Sequence, residues 1–450
     1  MVSSNILALS TAIVVVSFVL FSARNRRRSL PYPPGPPSVP FLGNYLSLPT
    51  RKPWVTYANW SKELQSGLIS IQAFGQLTVI INSKKIAKEL LEHRSAIYSS
   101  RPFPKMSEIM GWGFSAGLMP YSDRWRTQRR LLHGSFHSTV ALDYRPLQRT
   151  RILELLPKLV SDSKNFADNM SSMAASIAIE VLYGDIGDES QKDRFRLDAK
   201  NSVSMLSDSM FPGAVAVNTL PFLRYLPGWL PGMGFKAFAA QCMEHTTYMQ
   251  DVPWALAKRS VAENVVSPSM AAKLIADLQE TSAGHDAEQD AKEACAAAYA
   301  AGADTTLSAL SSSILALLLH PHVQRRAQQE IDDVVGRQRL PTFEDRANLP
   351  YVEAIYREVL RWNPVAPLSI LRAAFEDDVY EGYFIPRGTS VIANAWAMMH
   401  DPVDYPEPES FKPERFITAD GRVNDDDMRI AYGFGRRYAI SPLSLLNQAW

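Results

Sequence analysis

Ala301-Gly302-Ala303-Asp304-Thr305-Thr306 departs from the stretch that contains it. Asp290 to Leu319 is rich in Ala, Leu and Ser and reads as one long helix. A glycine in a helix interior costs about 1 kcal/mol against alanine, and adjacent threonines add β-branched stiffness. A segment selected for helix stability alone avoids both. Small side chains at Ala301 and Gly302 would let a flat ligand lie close to the backbone, and a threonine hydroxyl can pass a proton that Asp304 renews. A local kink accounts for Gly302 equally well, so the segment takes its meaning from its surroundings.

Downstream, Tyr351 to Trp362 has a helical pattern, with Ala354, Ile355, Val359 and Leu360 as apolar contacts. Glu358 and Arg361, at i and i+3, share one face of it. By itself that is an ordinary helix ion pair, but Pro413-Glu414-Arg415-Phe416 offers a second arginine to the same carboxylate. Glu358, Arg361 and Arg415 together make a structural clamp rather than a catalytic site. Upstream, Trp125 and Arg129 stand at i and i+4 beside Arg130. A guanidinium binds a carboxylate in bidentate fashion, although an exposed surface arginine is the commoner case. Near the end of the chain, Tyr432-Gly433-Phe434-Gly435-Arg436-Arg437-Tyr438 runs into Ala439.

The rest of the sequence organises around these helices. Leu68 to Phe74 and Val79 to Asn82 read as two short strands joined at Gly75-Gln76, followed by a helix from Lys84 to Arg94. Ile152 to Val181 is helical, with Pro157 expected to break it early. Val379 to Ile385 and Ser390 to Ala393 are strand-like. Between Phe211 and Phe238, apolar residues interrupted by Pro and Gly cannot form one regular helix. That segment is either buried loop packing or a greasy lid whose Tyr225 and Trp229 suit a bilayer surface. The fold class is mainly α with a minor β region, in one large domain.

The 450 residues are 46% hydrophobic and 10% aromatic, which excludes wholesale disorder. Lys plus Arg number 47 against 46 Asp plus Glu, a balance that gives no basis for nucleic-acid binding. Two cysteines, Cys242 and Cys295, exclude a disulfide scaffold and fit a reducing compartment. Ile6 to Ala23 is uncharged and apolar, and at ~1.5 Å per residue it reaches ~27 Å, enough for a thin bilayer. Arg24, Arg26, Arg27 and Arg28 follow it, opposite to the order of a secretory signal, and place the remainder in the cytosol. The division expected is therefore a membrane anchor over 1–23, a basic and proline-rich hinge over 24–40, and the body over 41–450. A cleaved secretory signal is the alternative reading of the first segment.

Taken in order, Trp125…Arg129, Ala301-Gly302…Asp304-Thr305, His320-Pro321, Glu358…Arg361, Pro413-Glu414-Arg415-Phe416 and Tyr432-Gly433-Phe434-Gly435…Arg437 resemble the membrane-bound cytochrome P-450 monooxygenases. Gly382-Tyr383-Phe384-Ile385-Pro386-Arg387-Gly388 and Leu226-Pro227-Gly228-Trp229-Leu230-Pro231-Gly232 are similar to fungal microsomal members. The resemblance covers nearly the whole chain. It implies a haem cofactor, a small hydrophobic substrate of secondary metabolism or xenobiotic oxidation, an NADPH-dependent reductase as partner, and a single-pass location in the endoplasmic reticulum membrane. By motif, Asp304 and Thr305 would handle protons, with Ala301 and Gly302 flanking the macrocycle. Trp125, Arg129, Arg372 and Arg437 would hold the haem propionates, and Glu358, Arg361 and Arg415 would lock the core beneath.

Ala439 occupies the position of the family's cysteine ligand, so no metal ligand is assigned. Ser441 stands where the family has glycine, and Tyr438 to Trp450 no longer follows the pattern, so the C-terminal part of the fold is expected to be missing. A thiolate pushes electron density onto iron and favours O–O cleavage; alanine has no lone pair to give. Tyr438 is the adjacent oxygen donor, whereas Cys295 belongs to the other side and reads as a small buried hydrophobe. The expectation is a haem-poor chain with little turnover. It is either a family member misread at its tail or a degenerate membrane-anchored non-enzyme that binds hydrophobic ligands or partner proteins.

Overall fold

The computed structural model describes residues 30–438, apart from 138, 211–214, 266–267 and 282–283. The proposed anchor over 1–23, Ala439 and Ser441 lie outside the described residues.

The longer helices are α1 (Pro53–Glu63), α2 (Asp123–Phe136), α3 (Arg145–Ser161), α4 (Phe166–Tyr183), α5 (Glu189–Met210), α6 (Phe235–Ala262), α7 (Met270–Glu280), α8 (His285–Leu319), α9 (Pro321–Val334) and α10 (Pro350–Trp362). Four of these carry proline in their first turn, where the missing N–H costs nothing: α1, α3, α9 and α10. α8 is the axis of the fold. Its 35 residues at ~1.5 Å each extend for ~52 Å. It stops at His320, held extended (φ −125°, ψ 68°) by the ring of Pro321, which then opens α9. Among the described residues it is the one helix long and apolar enough to cross a membrane, yet α2, α4 and α7 pack along it as core. Ala294, Cys295 and Ala296 are fully buried there with Ile177 and Ile179 of α4.

The helical pattern in the 152–181 stretch breaks later than Pro157 predicts. Pro157 lies inside α3, which continues to Ser161 before the chain turns at Asp162. The proline frees the carbonyl of Leu153, four residues back, and Leu153 is exposed, so water can take the lost hydrogen bond.

The strands β1 (Leu68–Ala73), β2 (Gln76–Ile81), β3 (Arg372–Ala373) and β6 (Ser390–Ala393) form one sheet in the order β1-β2-β6-β3. β4 (Asp378–Tyr380) and β5 (Tyr383–Ile385) form a separate hairpin. The β1–β2 turn falls at Phe74-Gly75, one residue earlier than the sequence suggests, because Gln76 already pairs with Ala73. Parallel pairing of β2 with β6 joins residues over 300 positions apart, Val79 opposite Val391, and β3, with Arg372, closes the sheet as its edge strand beside β6.

The proline cluster is stitched to this sheet. Ser70 donates from its backbone N–H to the Pro34 carbonyl (2.8 Å) and from its hydroxyl to Pro33 (2.6 Å). Asn44 donates to the carbonyls of Pro36 and Pro37 (3.0 Å each) and accepts from the Gln72 N–H (2.9 Å). Gly35 fits because a Cβ there would sit 2.0 Å from the Ser70 carbonyl oxygen. On the surface, Trp229 is 81% and Tyr225 74% exposed, with Phe222 beside them, so the interrupted segment is not buried packing at these residues.

Candidate active site

Gly302 and its neighbours sit mid-way along α8. Thr305 donates its hydroxyl proton to the Ala301 carbonyl (2.8 Å), and Thr306 donates to Gly302 (2.9 Å). Such back-bonding satisfies a hydroxyl inside a helix and holds it ready to exchange partners. Ala301 is exposed and Thr305 partly so, whereas Gly302 and Thr306 are buried. Asp304 faces elsewhere. It lines a cleft of about 240 Å³ between α4, α5 and α8, together with Asp168, Asp193, Arg196, Lys200 and Tyr299. Burial pushes its carboxyl above the ordinary range, and Lys200 pulls in the opposite direction. The two motif residues are chain neighbours on different faces of one helix.

Four arginines from four segments converge beyond α2. Arg437 stacks over Trp125, its guanidinium carbon 4.3 Å from the ring centroid. It donates to the carbonyls of Ser99 (2.8 Å), Ala116 (3.0 Å) and Met119 (2.8 Å). Arg372, from β3, donates one nitrogen to the Phe434 carbonyl (2.6 Å), and Arg129, from α2, donates to Tyr438 (2.6 Å). Arg101, which the sequence reading missed, donates Nη1 to Ile370 and Leu371 (2.6 Å each). Its setting, Ser99-Ser100-Arg101-Pro102, carries no helical or strand period that would have marked it.

None of the four is within ion-pair distance of a carboxylate among the described residues. All are held below the ordinary guanidinium range, chiefly by burial: Arg372 at about 10, Arg437 at about 9, Arg101 well below and Arg129 lowered. For Arg101 and Arg437, repulsion from neighbouring arginines adds to this. Arg101 Nε and Arg372 Nη1 are buried without a hydrogen-bond partner. Uncompensated buried cations are costly. A ligand with two carboxylates would relieve that cost, so the donor set fits the acidic edge of a haem.

The loop that delivers Arg437 depends on Gly435, whose φ is +50° and whose absent Cβ would lie 2.1 Å from the Leu91 carbonyl oxygen. Only glycine allows that approach without strain. Beneath it the expected clamp is formed. Glu358 and Arg361, both fully buried, make a bidentate pair (2.6 and 2.9 Å), and Arg415 reaches the same carboxylate at 3.1 Å. The Lys412 N–H donates to Glu358 (2.7 Å), and Arg361 donates to the Met399 carbonyl (3.0 Å).

A second buried acid was not anticipated. Glu293 on α8 accepts from Gln128 (2.9 Å) and Gln289 (2.8 Å) and pairs with Arg124. Its signal was a lone carboxylate entering the Ala-rich run at 294–298. Arg124 and Gln128 lie on α2, so this contact seats the helix that carries Trp125 and Arg129.

No group of three or more His, Cys, Asp or Glu among the described residues could hold a metal. Both cysteines are buried, and burial pushes the Cys295 thiol up, away from thiolate. Burial also raises the Tyr438 phenol, against tyrosinate formation.

A family model described as cytochrome P-450 matches residues 33–439. Among curated proteins, the chain is 37% identical to cytochrome P-450 monooxygenase ple1 of Rhodocybe pseudopiperita over 95% of this chain and 82% of the relative. It is 36% identical to cytochrome P-450 monooxygenase claR of Ampulloclitocybe clavipes, over 94% and 78%. It is 31% identical to the tryptamine 4-monooxygenase of Psilocybe cyanescens, over 96% and 86%.

Proposed function

The chain belongs to the cytochrome P-450 family, and we propose that its reaction is insertion of one oxygen atom of dioxygen into a small hydrophobic substrate, with electrons from NADPH passed on by a separate reductase. By family it is a monooxygenase-type oxidoreductase with haem as its cofactor. The observation that carries the reading is the group of Arg101, Arg129, Arg372 and Arg437, none in an ion pair among the described residues, with unpaired donors on Arg101 and Arg372.

Haem, when bound, supplies the redox centre at which dioxygen is activated. This chain's residues do the rest. The arginines and Trp125 would hold the carboxylates of the macrocycle, and the small residues Ala301 and Gly302 would let it approach α8. Thr305 would release its hydroxyl from the Ala301 carbonyl to deliver a proton, and Asp304, on another face of α8 in the cleft, would renew it only by way of solvent. Glu358, Arg361 and Arg415 keep the lower core rigid. By resemblance to the family, Phe114, Leu118 and Val365 to Leu368 fall in stretches that would line the substrate side. The body over 41–450 is the catalytic domain. Residues 1–23 anchor it as a single pass in the endoplasmic reticulum membrane, with the catalytic body in the cytosol.

Ala439 supports a second reading, because it offers no thiolate at the family's ligand position. On that reading the chain as written turns over little or no substrate and acts as a membrane-anchored binder of hydrophobic ligands or partner proteins. The spectrum of the reduced, carbonyl-bound protein separates the two. The unaltered chain should lack the thiolate-type band, and Ala439→Cys with a family-type ending should gain it. A thiolate-type band from the unaltered chain sinks the inactive reading. A restored chain that folds and takes up no haem sinks the monooxygenase reading.

A further inference from the structure

We infer that this chain recognises a porphyrin by its two carboxylates rather than by the metal at its centre, so that a metal-free tetrapyrrole dicarboxylate binds about as well as haem. The inference rests on the cofactor reading above and goes beyond it, because it separates the porphyrin edge from the iron.

Two observations lead there. On the acid-binding side, four guanidinium groups stand together without a carboxylate partner among the described residues. Two of them, Arg101 and Arg372, keep a buried N–H with no acceptor, Nε and Nη1 respectively. One other nitrogen of each is pinned to main-chain carbonyls, Arg101 Nη1 to Ile370 and Leu371 and Arg372 Nη2 to Phe434. These guanidinium groups are therefore held in place before a ligand arrives, and a carboxylate that displaces the packing over the buried N–H groups meets donors with little side-chain freedom left to lose. Arg437 is pinned by three carbonyls and adds charge. On the metal side, residue 439 is alanine and both cysteines are buried elsewhere. Recognition then falls to the dicarboxylate edge and the apolar ring surface, which haem and its metal-free counterpart share.

The test uses the full chain purified without cofactor and follows quenching of its tryptophan fluorescence. Three ligands are titrated: haem, free-base protoporphyrin IX and protoporphyrin IX dimethyl ester. Haem and the free base should bind within about threefold of one another, and the ester at least about tenfold more weakly, the loss expected when a charge-assisted contact is removed. Arg101→Gln and Arg372→Gln should each weaken both diacids by about tenfold and leave the ester nearly unmoved. Ala439→Cys should tighten haem by about tenfold more than it tightens the free base. Haem binding about tenfold tighter than the free base in the unaltered chain, or an ester that binds as well as the diacid, overturns the inference and leaves the family's cofactor reading standing. A chain that is helical by circular dichroism and binds none of the three overturns both.

Discussion

Replacing Glu358 by glutamine keeps the size of a fully buried side chain and removes its charge. The carboxylate accepts from Arg361 Nε at 2.6 Å and Nη2 at 2.9 Å, from the Lys412 N–H at 2.7 Å and from Arg415 Nε at 3.2 Å. In Glu358→Gln the Arg361 guanidinium stays buried without a counter-charge, and removing one partner of a buried pair costs about 3–5 kcal/mol. Against a net stability of about 5–15 kcal/mol, that is a large share of the whole. Removing both charges in Glu358→Gln/Arg361→Met should cost less than the single change, because no lone cation remains. Arg415 and the Met399 carbonyl still lose partners, so a residue of about 1–3 kcal/mol persists. Urea unfolding followed by far-ultraviolet circular dichroism reads both changes as midpoint shifts at constant slope. A single-variant cost below about 1 kcal/mol, the range of exposed pairs, would refute the argument. So would a double variant less stable than the single.

Three further perturbations test other parts of the site. Glu293→Gln removes one of the two carboxylate partners of Arg124, leaving Asp290 at 3.4 Å, and should lower stability by about 1–3 kcal/mol; restoration by Glu293→Asp, seen in the same urea assay, would tie the loss to the charge. Gly435→Ala forces a side chain into φ +50° and into the Leu91 carbonyl, so porphyrin affinity should fall with little change in far-ultraviolet signal; unchanged affinity would show that the loop does not set the arginines. The Asp304 carboxyl is raised by burial, so the folded chain binds its proton more tightly than the unfolded chain does. Its contribution to stability is therefore full below the ordinary carboxyl range and is lost as pH rises through the raised value. Asp304→Asn should flatten that slope and gain on the parent as pH climbs, and parallel pH profiles for the two proteins would contradict the assignment.

Much of the architecture was readable because local pattern and tertiary packing agree. The Ala-rich run became α8, Tyr351 to Trp362 became α10, and Ser390 to Ala393 is a strand with the expected bounds. Pro157 misled because the carbonyl it frees, at Leu153, is exposed and can reach water, and that exposure is not written in the local sequence. The clamp was legible at Glu358 and Arg361, since i, i+3 spacing fixes a shared face, and Pro413-Glu414-Arg415-Phe416 offered Arg415 as a second arginine for the same carboxylate. The arginine group was not. Its members come from a loop at 101, a helix at 129, a strand at 372 and a turn at 437, and no periodicity links them. Three were reached through family motifs, and Arg101 emerged only when the Ser100–Ala373 bridge set it against the chain leading into β3.

The stitching of Pro33, Pro34, Pro36 and Pro37 to β1 through Ser70 and Asn44 has a mechanical corollary. Tension applied to the chain ahead of Pro31 would not unspool a loose leash. It would load several cross-links in shear, at Ser70, Asn44 and the Pro31–Phe384 contact, before any strand could peel. In a single-molecule stretching experiment the amino-terminal end should therefore yield in one abrupt rupture, and cutting the Asn44 cross-link by alanine substitution should lower that rupture force.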